Sequence, residues 1–144
     1  MPGAAAIIIP TRGRAGYLDD ALASLAPHAQ AAGAEVIVVD DGPDEETRET
    51  AGRYGARYID DGAGQGLNAA RNRGVAATDA ALLVFTDDDV IAGPGWLDAL
   101  TRADATEPDD VGAFTGRPPA SAPRRASGRG GRRGRRGPRR SPPR

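Results

Sequence analysis

Residues 82–97 have the sequence LLVFTDDDVIAGPGWL, in which five apolar or β-branched residues come directly before three consecutive aspartates. A short, unbroken run of this kind is typical of a strand that is covered on both faces, as in a parallel sheet. A strand that brings three negative charges to one point requires positive charge nearby. The segment therefore predicts a buried strand whose carboxyl end lies at a cation or at basic side chains.

Three further apolar runs predict strands, and each predicted strand is followed by a predicted helix. Leu18, Leu22 and Leu25 have the spacing of a helix that Pro27 is expected to end. Pro43 is expected at the start of the second helix, which should stop before the glycine at position 55. The predicted strands cover residues 4–10, 34–42, 56–60 and 81–86, and the helices are predicted within residues 17–29, 43–55, 64–77 and 93–103.

This alternation predicts an α/β fold, with a mostly parallel sheet and helices on both faces. Ligands bind to such sheets at the carboxyl ends of the strands. A polar cluster lies at the carboxyl end of each of the four predicted strands, at Thr11–Arg14, Asp40–Asp41, Asp60–Asp61 and Asp87–Asp89. The sequence therefore predicts one ligand site, at that edge of the sheet.

The charge of the 144-residue chain divides near residue 117. Residues 1–116 hold eight of the 19 arginines and all 20 acidic residues, whereas residues 117–144 hold 11 arginines and no acid. The second region has no aromatic or branched aliphatic residue, so it cannot bury enough apolar surface to offset its chain entropy. We therefore predict a folded domain over residues 1–117 and a disordered Arg/Pro/Gly-rich tail over residues 118–144, which could attract nucleic acid non-specifically.

Composition disfavours several other classes of protein. Cysteine is absent, which excludes disulfides and cysteine metal sites. The apolar run at residues 4–9 is far shorter than the roughly 20 residues of a membrane span and follows no basic residue, so we expect a soluble, cytoplasmic protein without a membrane span or signal peptide. His28 is expected at the surface rather than in a zinc site. GAGQG, at residues 62–66, does not match the GxGxxG pattern of dinucleotide-binding folds.

The three aspartates at residues 87–89 are the candidates for a metal site. On a strand, residues i and i+2 point to the same face about 6–7 Å apart, so Asp87 and Asp89 would share a space while Asp88 faces away or caps the next turn. Magnesium and manganese are often bound by one or two carboxylates, together with water and substrate phosphates. The alternative is a solvated acidic turn.

The other clusters also have a functional and a structural interpretation. Asp40 and Asp41 could accept hydrogen bonds from a base or a ribose, or could form an Asx turn. Arg71 and Arg73 could bind a diphosphate, or could lie on a solvated helix face. The basic loop at residues 11–14 suits an anion.

Four segments carry a family resemblance in their order and spacing. They are IIIPTRGRAGYLDDALASL (7–25), VIVVDDG (36–42), GLNAARNRGVAAT (66–78) and LLVFTDDDVIAGPGWL (82–97). Together they resemble family-two glycosyltransferases of the GT-A fold, over about residues 5–117. The resemblance implies a Rossmann-like nucleotide-binding half, a UDP-, GDP- or dTDP-sugar as donor, a divalent metal (Mn²⁺ or Mg²⁺) and inverting transfer to an unknown acceptor.

The resemblance also implies roles for single residues. Nucleotide contacts are implied for Pro10, Thr11, Arg14, Asp40, Asp41, Asn68, Arg71, Asn72, Asp87 and Asp88. Metal contacts are implied for Asp87 and Asp89, which match the DxD element, with Asp89 nearest the metal. A metal ion and an arginine would stabilise the charge that develops on the β-phosphate as the sugar leaves.

The acceptor half of the family has no counterpart in this sequence. In the family, the carboxylate that deprotonates the acceptor hydroxyl lies well downstream of the DxD element, and Asp109 and Asp110 come too early to match it. No catalytic base is assigned. A truncated or frame-shifted member is expected, because the tail has the composition of GC-rich coding sequence in another reading frame. The alternatives are a nucleotide-binding module without turnover and nucleic-acid binding through the tail.

Overall fold

The computed structural model describes residues 5–62 and 64–116. The elements are β1 (Ala5–Thr11), α1 (Ala15–Ala32), β2 (Glu35–Asp40), α2 (Glu45–Arg53), β3 (Arg57–Asp60), α3 (Leu67–Ala76), β4 (Leu82–Phe85) and α4 (Trp96–Thr106). The chain divides into two units, Met1–Ala113 and Phe114–Arg144, and all eight elements lie in the first. In the second unit, residues 114–116 have no regular secondary structure. The predicted tail over residues 118–144 lies outside the described residues.

The four strands form one parallel sheet in the order β3-β2-β1-β4. Ile8 of β1 pairs with Ile37 of β2 on one side and with Phe85 of β4 on the other. β1 is buried over its whole length, and most of β2 is buried. Both are continuous apolar runs because they have a strand on each side and helices above and below. The predicted parallel α/β sheet is confirmed.

Alternate strand positions enter two hydrophobic clusters, one on each face of the sheet. The larger cluster joins the sheet to α1, α2 and α4, and its members include Ile7, Ile9, Leu18, Leu22, Leu25, Val36, Val38, Ala51 and Leu97. The smaller cluster joins the sheet to α3 and contains Ala6, Ile37, Val39 and Ala70. Each fully buried Leu or Ile contributes about 1.5–3 kcal/mol, so the larger cluster provides most of the hydrophobic stabilisation. Helices on both faces of the sheet are confirmed.

Helix α3 packs directly on the sheet at Gly74. A Cβ atom at this position would overlap with the side chain of Ile8 and press on that of Val39. A residue with any side chain would require the Ile8 side chain or the helix itself to shift. The close approach fixes α3, and therefore the polar side chains that it carries, relative to the ends of the central strands.

Helix α1 does not end at Pro27, as its sequence suggests, but continues to Ala32. Proline removes one backbone donor from the helix interior. The next turn is retained because Ala29, beyond the proline, is still buried against the core. The helix ends at Gly33, whose left-handed conformation (φ 63°) lets the N–H of Ala34 donate to the carbonyl of Ala29 at 2.8 Å.

Helix α2 begins at Glu45, two residues after the proline at position 43 that the sequence suggests as its start. The cap is Asp44, whose carboxylate accepts hydrogen bonds from the backbone N–H and from the hydroxyl of Thr47, both at 2.9 Å. These bonds satisfy donors of the first turn. The predicted stop at Gly55 is confirmed, because this residue follows the end of the helix with φ 68°.

Two expectations from composition can be compared with the structure. Among the described residues, no helix is both long enough and apolar enough to cross a membrane. The location of the protein in the cell stays a prediction. His28 lies within α1 and is half-buried, so it is less exposed than expected.

Candidate functional site

The carboxyl ends of the strands lie side by side at one edge of the sheet. The N–H of Asp41 donates to the carbonyl of Thr11 at 3.0 Å, and the N–H of Asp61 donates to the carbonyl of Asp40 at 3.1 Å. On the other side, the N–H of Thr86 donates to a β1 carbonyl at 3.3 Å. The polar clusters predicted from the sequence therefore meet at this edge, where ligands bind in sheets of this kind.

Asp88 is the buried member of the three aspartates and ties them to the loop after β1. It is 4% exposed, accepts a hydrogen bond from the Thr11 hydroxyl at 2.8 Å and faces the Arg14 guanidinium at 3.2 Å. Thr11 is fully buried, so water does not compete for its bond to Asp88. The structure thus brings together three of the predicted nucleotide contacts.

The strand geometry from which Asp87 and Asp89 were predicted to share one face, with Asp88 facing away or capping the next turn, does not extend to these residues. Strand β4 ends at Phe85, and the aspartates lie beyond it, with Asp88 and Asp89 in a turn. The two-residue period of a strand therefore does not apply to them. Asp88 points to the loop after β1, and the other two aspartates have different partners.

Arg14 binds two of the aspartates at once. One guanidinium nitrogen lies 3.2 Å from Oδ1 of Asp88, and the other lies 3.0 Å from Oδ2 of Asp89. The guanidinium also lies 4.7 Å from the centre of the Tyr17 ring, a cation–π contact. The hydrogen bond with Asp89, followed by the charge of Asp88, raises the pKa of Arg14 above its ordinary value. The two carboxylates therefore converge on one permanent cation.

Helix α3 contacts Asp87 through Arg71. One guanidinium nitrogen of Arg71 donates to Asp87 at 2.8 Å, and another donates to Asn68 at 2.9 Å. Three predicted residues are thus joined. Asn72 lies exposed on the same helix, and Arg73 pairs with an aspartate that follows β3, at 3.7 Å.

Asp41 anchors the loop that precedes α3. Its carboxylate is buried and accepts hydrogen bonds from the N–H groups of Gln65 at 2.7 Å and Gly66 at 3.0 Å. Gly66 caps α3 with φ 93°, a conformation that favours glycine. Arg12 lies 3.7 Å from the same carboxylate. This role of Asp41 was not predicted from the sequence, although the glycines on both sides of Gln65 were a signal for backbone that closely approaches another group.

Asp40 is fully buried and closes the turn after β2. Its carboxylate accepts hydrogen bonds from Gly42 N–H at 3.2 Å, Asp44 N–H at 3.4 Å and the Tyr58 hydroxyl at 2.9 Å. The first bond is the Asx turn that was the structural alternative. Burial, and then the bond to Asp40, raises the pKa of Tyr58 well above its ordinary value. Tyr58 was not predicted from the sequence, and the geometry does not support a direct ligand contact by Asp40.

Other predicted residues lie away from these contacts. Pro10 is buried within β1, where it pairs with Val39, so it supports the edge from inside the sheet. Asp109 and Asp110 follow α4 and are exposed.

A family model matches most of the sequence. Residues 6–140 match the model described as glycosyl transferase family 2. The chain belongs to glycosyl transferase family 2. This confirms the resemblance that the four sequence segments indicated, and the match to the family continues beyond residue 117.

Two relatives in the family are each described as validoxylamine A glucosyltransferase. The protein from Streptomyces hygroscopicus subsp. jinggangensis (strain 5008) is 36% identical over 117 residues, and that from Streptomyces hygroscopicus subsp. limoneus is 35% identical over 117 residues. The alignments cover 73% of this chain, but 28% and 26% of the relatives. This family 2 chain therefore spans about a quarter of the length of these relatives.

Solved structures share the fold. Glucosyl-3-phosphoglycerate synthase of M. tuberculosis superposes with a TM-score of 0.60 at 23% identity, covering 71% of this chain and 40% of that one. TarS 1-349 of S. aureus gives 0.59 at 24% identity, covering 70% and 32%. The mannosyltransferase PcManGT from Pyrobaculum calidifontis, in complex with GDP-Man and Mn2+, gives 0.59 at 21% identity, covering 72% and 32%. The expected GT-A-like fold of family 2 is confirmed.

The edge of this family 2 sheet carries two groups of ion pairs, one that joins Arg14 to Asp88 and Asp89 and one that joins Arg71 to Asp87. Within residues 5–62 and 64–116, no three acidic or histidine side chains form a cluster arranged to hold a metal ion. Asp88 and Asp89 do converge on one cationic group, and two carboxylates with ligand phosphates are sufficient for Mg²⁺ or Mn²⁺. The arrangement suits a ligand that brings both an anionic phosphate and a cation.

Proposed function

We propose that the described residues form the donor-binding half of an inverting glycosyltransferase, which binds a nucleoside-diphosphate sugar with a divalent metal ion. The observation that carries the proposal is the contact of two arginines with three aspartates at the carboxyl edge of the sheet. Family membership and the two glucosyltransferase relatives support it. Because the chain spans about a quarter of those relatives, the transfer reaction is itself part of the proposal.

The donor diphosphate is proposed to bind Arg14 and Arg71. Arg14 comes from the loop after β1 and Arg71 from α3, and their side chains are 42% and 31% exposed. A guanidinium group offers paired donors that match phosphate oxygens. Donors fixed before the reaction stabilise the charge that develops on the departing diphosphate without further reorganisation.

Asp89 is the proposed principal ligand of the metal ion, as the family resemblance implies. Asp88 takes the second position instead of Asp87, because Asp88 and Asp89 face the same cationic group whereas Asp87 faces Arg71. The solved structure of PcManGT is a complex with GDP-Man and Mn2+, which supports Mn²⁺ or Mg²⁺ as the ion. When bound, the ion supplies Lewis-acid stabilisation of the leaving diphosphate.

Asp40 and Asp41 are proposed to shape the nucleoside pocket through the backbone. Asp41 fixes the loop at residues 64–66, and Asp40 fixes the turn after β2. Pro10 supports this region from within β1. A base and a ribose would then meet a backbone that is already in place, which lowers the entropy cost of binding. Asn72, exposed on α3, is a proposed contact of the nucleotide.

We assign no catalytic base among the described residues. Inverting transfer requires a base within hydrogen-bond reach of the acceptor hydroxyl, a contribution of typically about 10²–10⁴-fold. We therefore propose that this chain by itself binds the donor but transfers no sugar at a useful rate. It would then have the donor site of a glycosyltransferase and act by itself as a nucleotide-binding module, which was the alternative function. Nucleic-acid binding through residues 118–144 is a separate prediction.

Titration calorimetry of the full chain with UDP, GDP and dTDP, each with and without Mn²⁺, tests donor binding. At least one nucleotide is expected to bind more tightly with Mn²⁺, and Arg71→Gln is expected to weaken that binding about tenfold through loss of a charged hydrogen bond. Arg57→Gln is the matched control, because Arg57 pairs with Glu35 at the opposite end of the strands. Equal affinities with and without Mn²⁺ for all three nucleotides would contradict the proposal.

Mass spectrometry tests whether transfer occurs. The chain is incubated with a panel of nucleotide sugars, Mn²⁺ and mixed acceptors, and no glycosylated product is expected. Product that forms with the wild type and disappears in Asp89→Asn would show that the chain is a complete glycosyltransferase.

A further inference from the structure

The Arg14 guanidinium contacts the carboxylates that the proposed metal ion would use. It lies 3.2 Å from Oδ1 of Asp88 and 3.0 Å from Oδ2 of Asp89. The second oxygen of Asp88, Oδ2, already accepts the hydrogen bond from Thr11 at 2.8 Å. Both oxygens of Asp88 therefore have partners, and a metal ion that approaches Asp88 and Asp89 must compete with Arg14.

The two partners of Asp88 differ in how easily they can be replaced. Thr11 lies at the end of β1 and is fully buried, so water cannot replace Asp88 as the partner of its hydroxyl. Arg14 precedes the first turn of α1 and is partly exposed, with its guanidinium over the Tyr17 ring. The Arg14–Asp89 pair is partly exposed on both sides and contributes little to stability, whereas the Asp88 carboxylate is buried and would be costly to leave without a cation. The guanidinium can therefore leave the aspartates at small cost when another cation takes its place beside Asp88.

We propose that Arg14 is a displaceable counter-ion of Asp88 and Asp89, which keeps their affinity for a divalent ion low until a nucleoside diphosphate binds. The inference rests on the proposed donor-binding function, because the diphosphate is the anion that receives the displaced guanidinium. Arg14 moves from carboxylate to phosphate oxygens, and the metal ion takes the vacated carboxylates. Metal and nucleotide then raise each other's affinity by the same factor, as linkage requires.

The charges at the edge determine the size of the effect. In the resting arrangement, Arg14 neutralises one of the two negative charges of Asp88 and Asp89, and Arg71 neutralises Asp87. A divalent ion placed beside the Arg14 guanidinium would be repelled by it at a distance of a few ångströms. Removal of the guanidinium is therefore expected to raise the affinity for Mn²⁺ without nucleotide on the order of tenfold.

The experiment measures free Mn²⁺ by electron paramagnetic resonance during titration of the full chain, first without nucleotide and then with UDP, GDP or dTDP. Arg14→Gln is expected to bind Mn²⁺ about tenfold more tightly than the wild type without nucleotide, and nucleotide is expected to raise that affinity less than it does in the wild type. Arg57→Gln, which removes the same charge at the opposite end of the strands, is expected to match the wild type. The double variant Arg14→Gln/Asp89→Asn is expected to lose the increase in Mn²⁺ affinity. This loss would show that the increase arises at these aspartates.

A second substitution keeps the test decisive if Arg14→Gln does not fold. Arg14→Lys retains the charge but offers one ammonium group in place of a two-pronged guanidinium, so its Mn²⁺ affinity without nucleotide is expected to lie between those of the wild type and Arg14→Gln. Thermal unfolding of each variant confirms that it is folded. A Mn²⁺ affinity in folded Arg14→Gln or Arg14→Lys that equals or falls below that of the wild type overturns the inference.

Failure of the inference can be distinguished from failure of the proposed function. Mn²⁺-dependent nucleotide binding by the wild type, with no gain in Arg14→Gln, leaves donor binding intact and removes the role of Arg14. A gain in Arg14→Gln without nucleotide binding by the wild type supports Arg14 as the counter-ion and removes the donor. The two measurements therefore test the two proposals separately.

Discussion

Two pairs of aspartates at the same edge of the sheet are held in opposite ways. Asp40 and Asp41, after β2, are buried, and backbone N–H groups supply most of their hydrogen bonds. Asp88 and Asp89, after β4, are held by side chains, and Asp89 is 48% exposed. Backbone donors can leave a carboxylate only if the loop that carries them unfolds, whereas a side chain can rotate away. The first pair therefore builds structure, whereas the contacts of the second pair with Arg14 can be exchanged.

The position of each strand in the sheet explains this difference. β2 lies between β1 and β3, so the turn that follows it is enclosed by neighbouring segments. β4 is an edge strand with β1 as its only neighbour in the described sheet. The residues after β4 are consequently open on one side. An open strand end with exchangeable ion pairs is where a charged ligand can enter.

Among the substitutions that test this difference, Asp41→Ala is expected to reduce the stability of the fold the most. Two hydrogen bonds to a charged acceptor would be lost from the loop before α3, so the free energy of unfolding is expected to fall by about 3 kcal/mol. Urea unfolding of the full chain measures this loss.

Asp89→Ala is the matched control, because it removes the same group from an exposed ion pair. Its loss is expected to stay below about 1 kcal/mol. Equal losses in the two variants would show that burial does not separate the two pairs of aspartates.

Tyr58→Phe removes one side-chain bond from the buried pair. The Tyr58 hydroxyl donates to Asp40 at 2.9 Å, and loss of a bond to a charged acceptor is expected to cost about 1.5 kcal/mol. Tyr17→Phe, on the exposed ring beside Arg14, is expected to change stability by less than about 0.5 kcal/mol. A loss of the same size in both variants would contradict the importance of the buried bond.

The pH dependence of stability provides a second measurement on Tyr58. The pKa of Tyr58 in the fold lies above its ordinary value of 10.0, because burial and Asp40 disfavour the phenolate. The unfolded chain therefore loses this proton first, so the stabilisation is present below about pH 10 and is lost as the pH rises further. Tyr54 is shifted in the same direction by Asp19. Above pH 10 the wild type is expected to lose stability more steeply than Tyr58→Phe.

Gly74→Ala tests the helix that connects the two regions, with a smaller expected effect. Overpacking against Ile8 is expected to cost about 2 kcal/mol, and alanine in place of glycine returns about 1 kcal/mol of helix propensity, so a net loss of about 1 kcal/mol is expected. Gly52→Ala, in α2 where a Cβ meets nothing within 4 Å, is expected to gain stability. Stabilisation by both substitutions in urea unfolding would show that α3 does not need this close approach.

Asp89→Asn is expected to have the smallest effect on stability and a clear effect on binding. The residue is half exposed and paired through a side chain, so the free energy of unfolding is expected to change by less than about 0.5 kcal/mol. Parallel calorimetry is expected to show that Mn²⁺ no longer strengthens nucleotide binding. A large loss of stability would place Asp89 with Asp41 as a structural residue.

Much of the fold could be predicted because its signals are local. Continuous apolar runs marked the strands, leucines at helical spacing marked α1, and Gly55 marked the end of α2. The failure at Pro27 has a tertiary cause, because burial of the following turn outweighs one missing hydrogen bond. Local chemistry predicts where a helix is weakened, but the packing decides whether it ends there.

The sequence by itself determined the order of strands and helices, the parallel sheet and the charges at each strand end, since periodicity and short connections are properties of neighbouring residues. Only the tertiary structure decided which of these polar side chains contact one another. Thr11 and Asp88 are 77 positions apart, and Arg14 and Asp89 are 75 positions apart, so no local pattern could pair them. Because β4 ends at Phe85, the strand alternation from which Asp87 and Asp89 were paired does not extend to these residues. Side-chain partners depend on where the sheet places its strand ends, and that placement arises from packing over the whole domain.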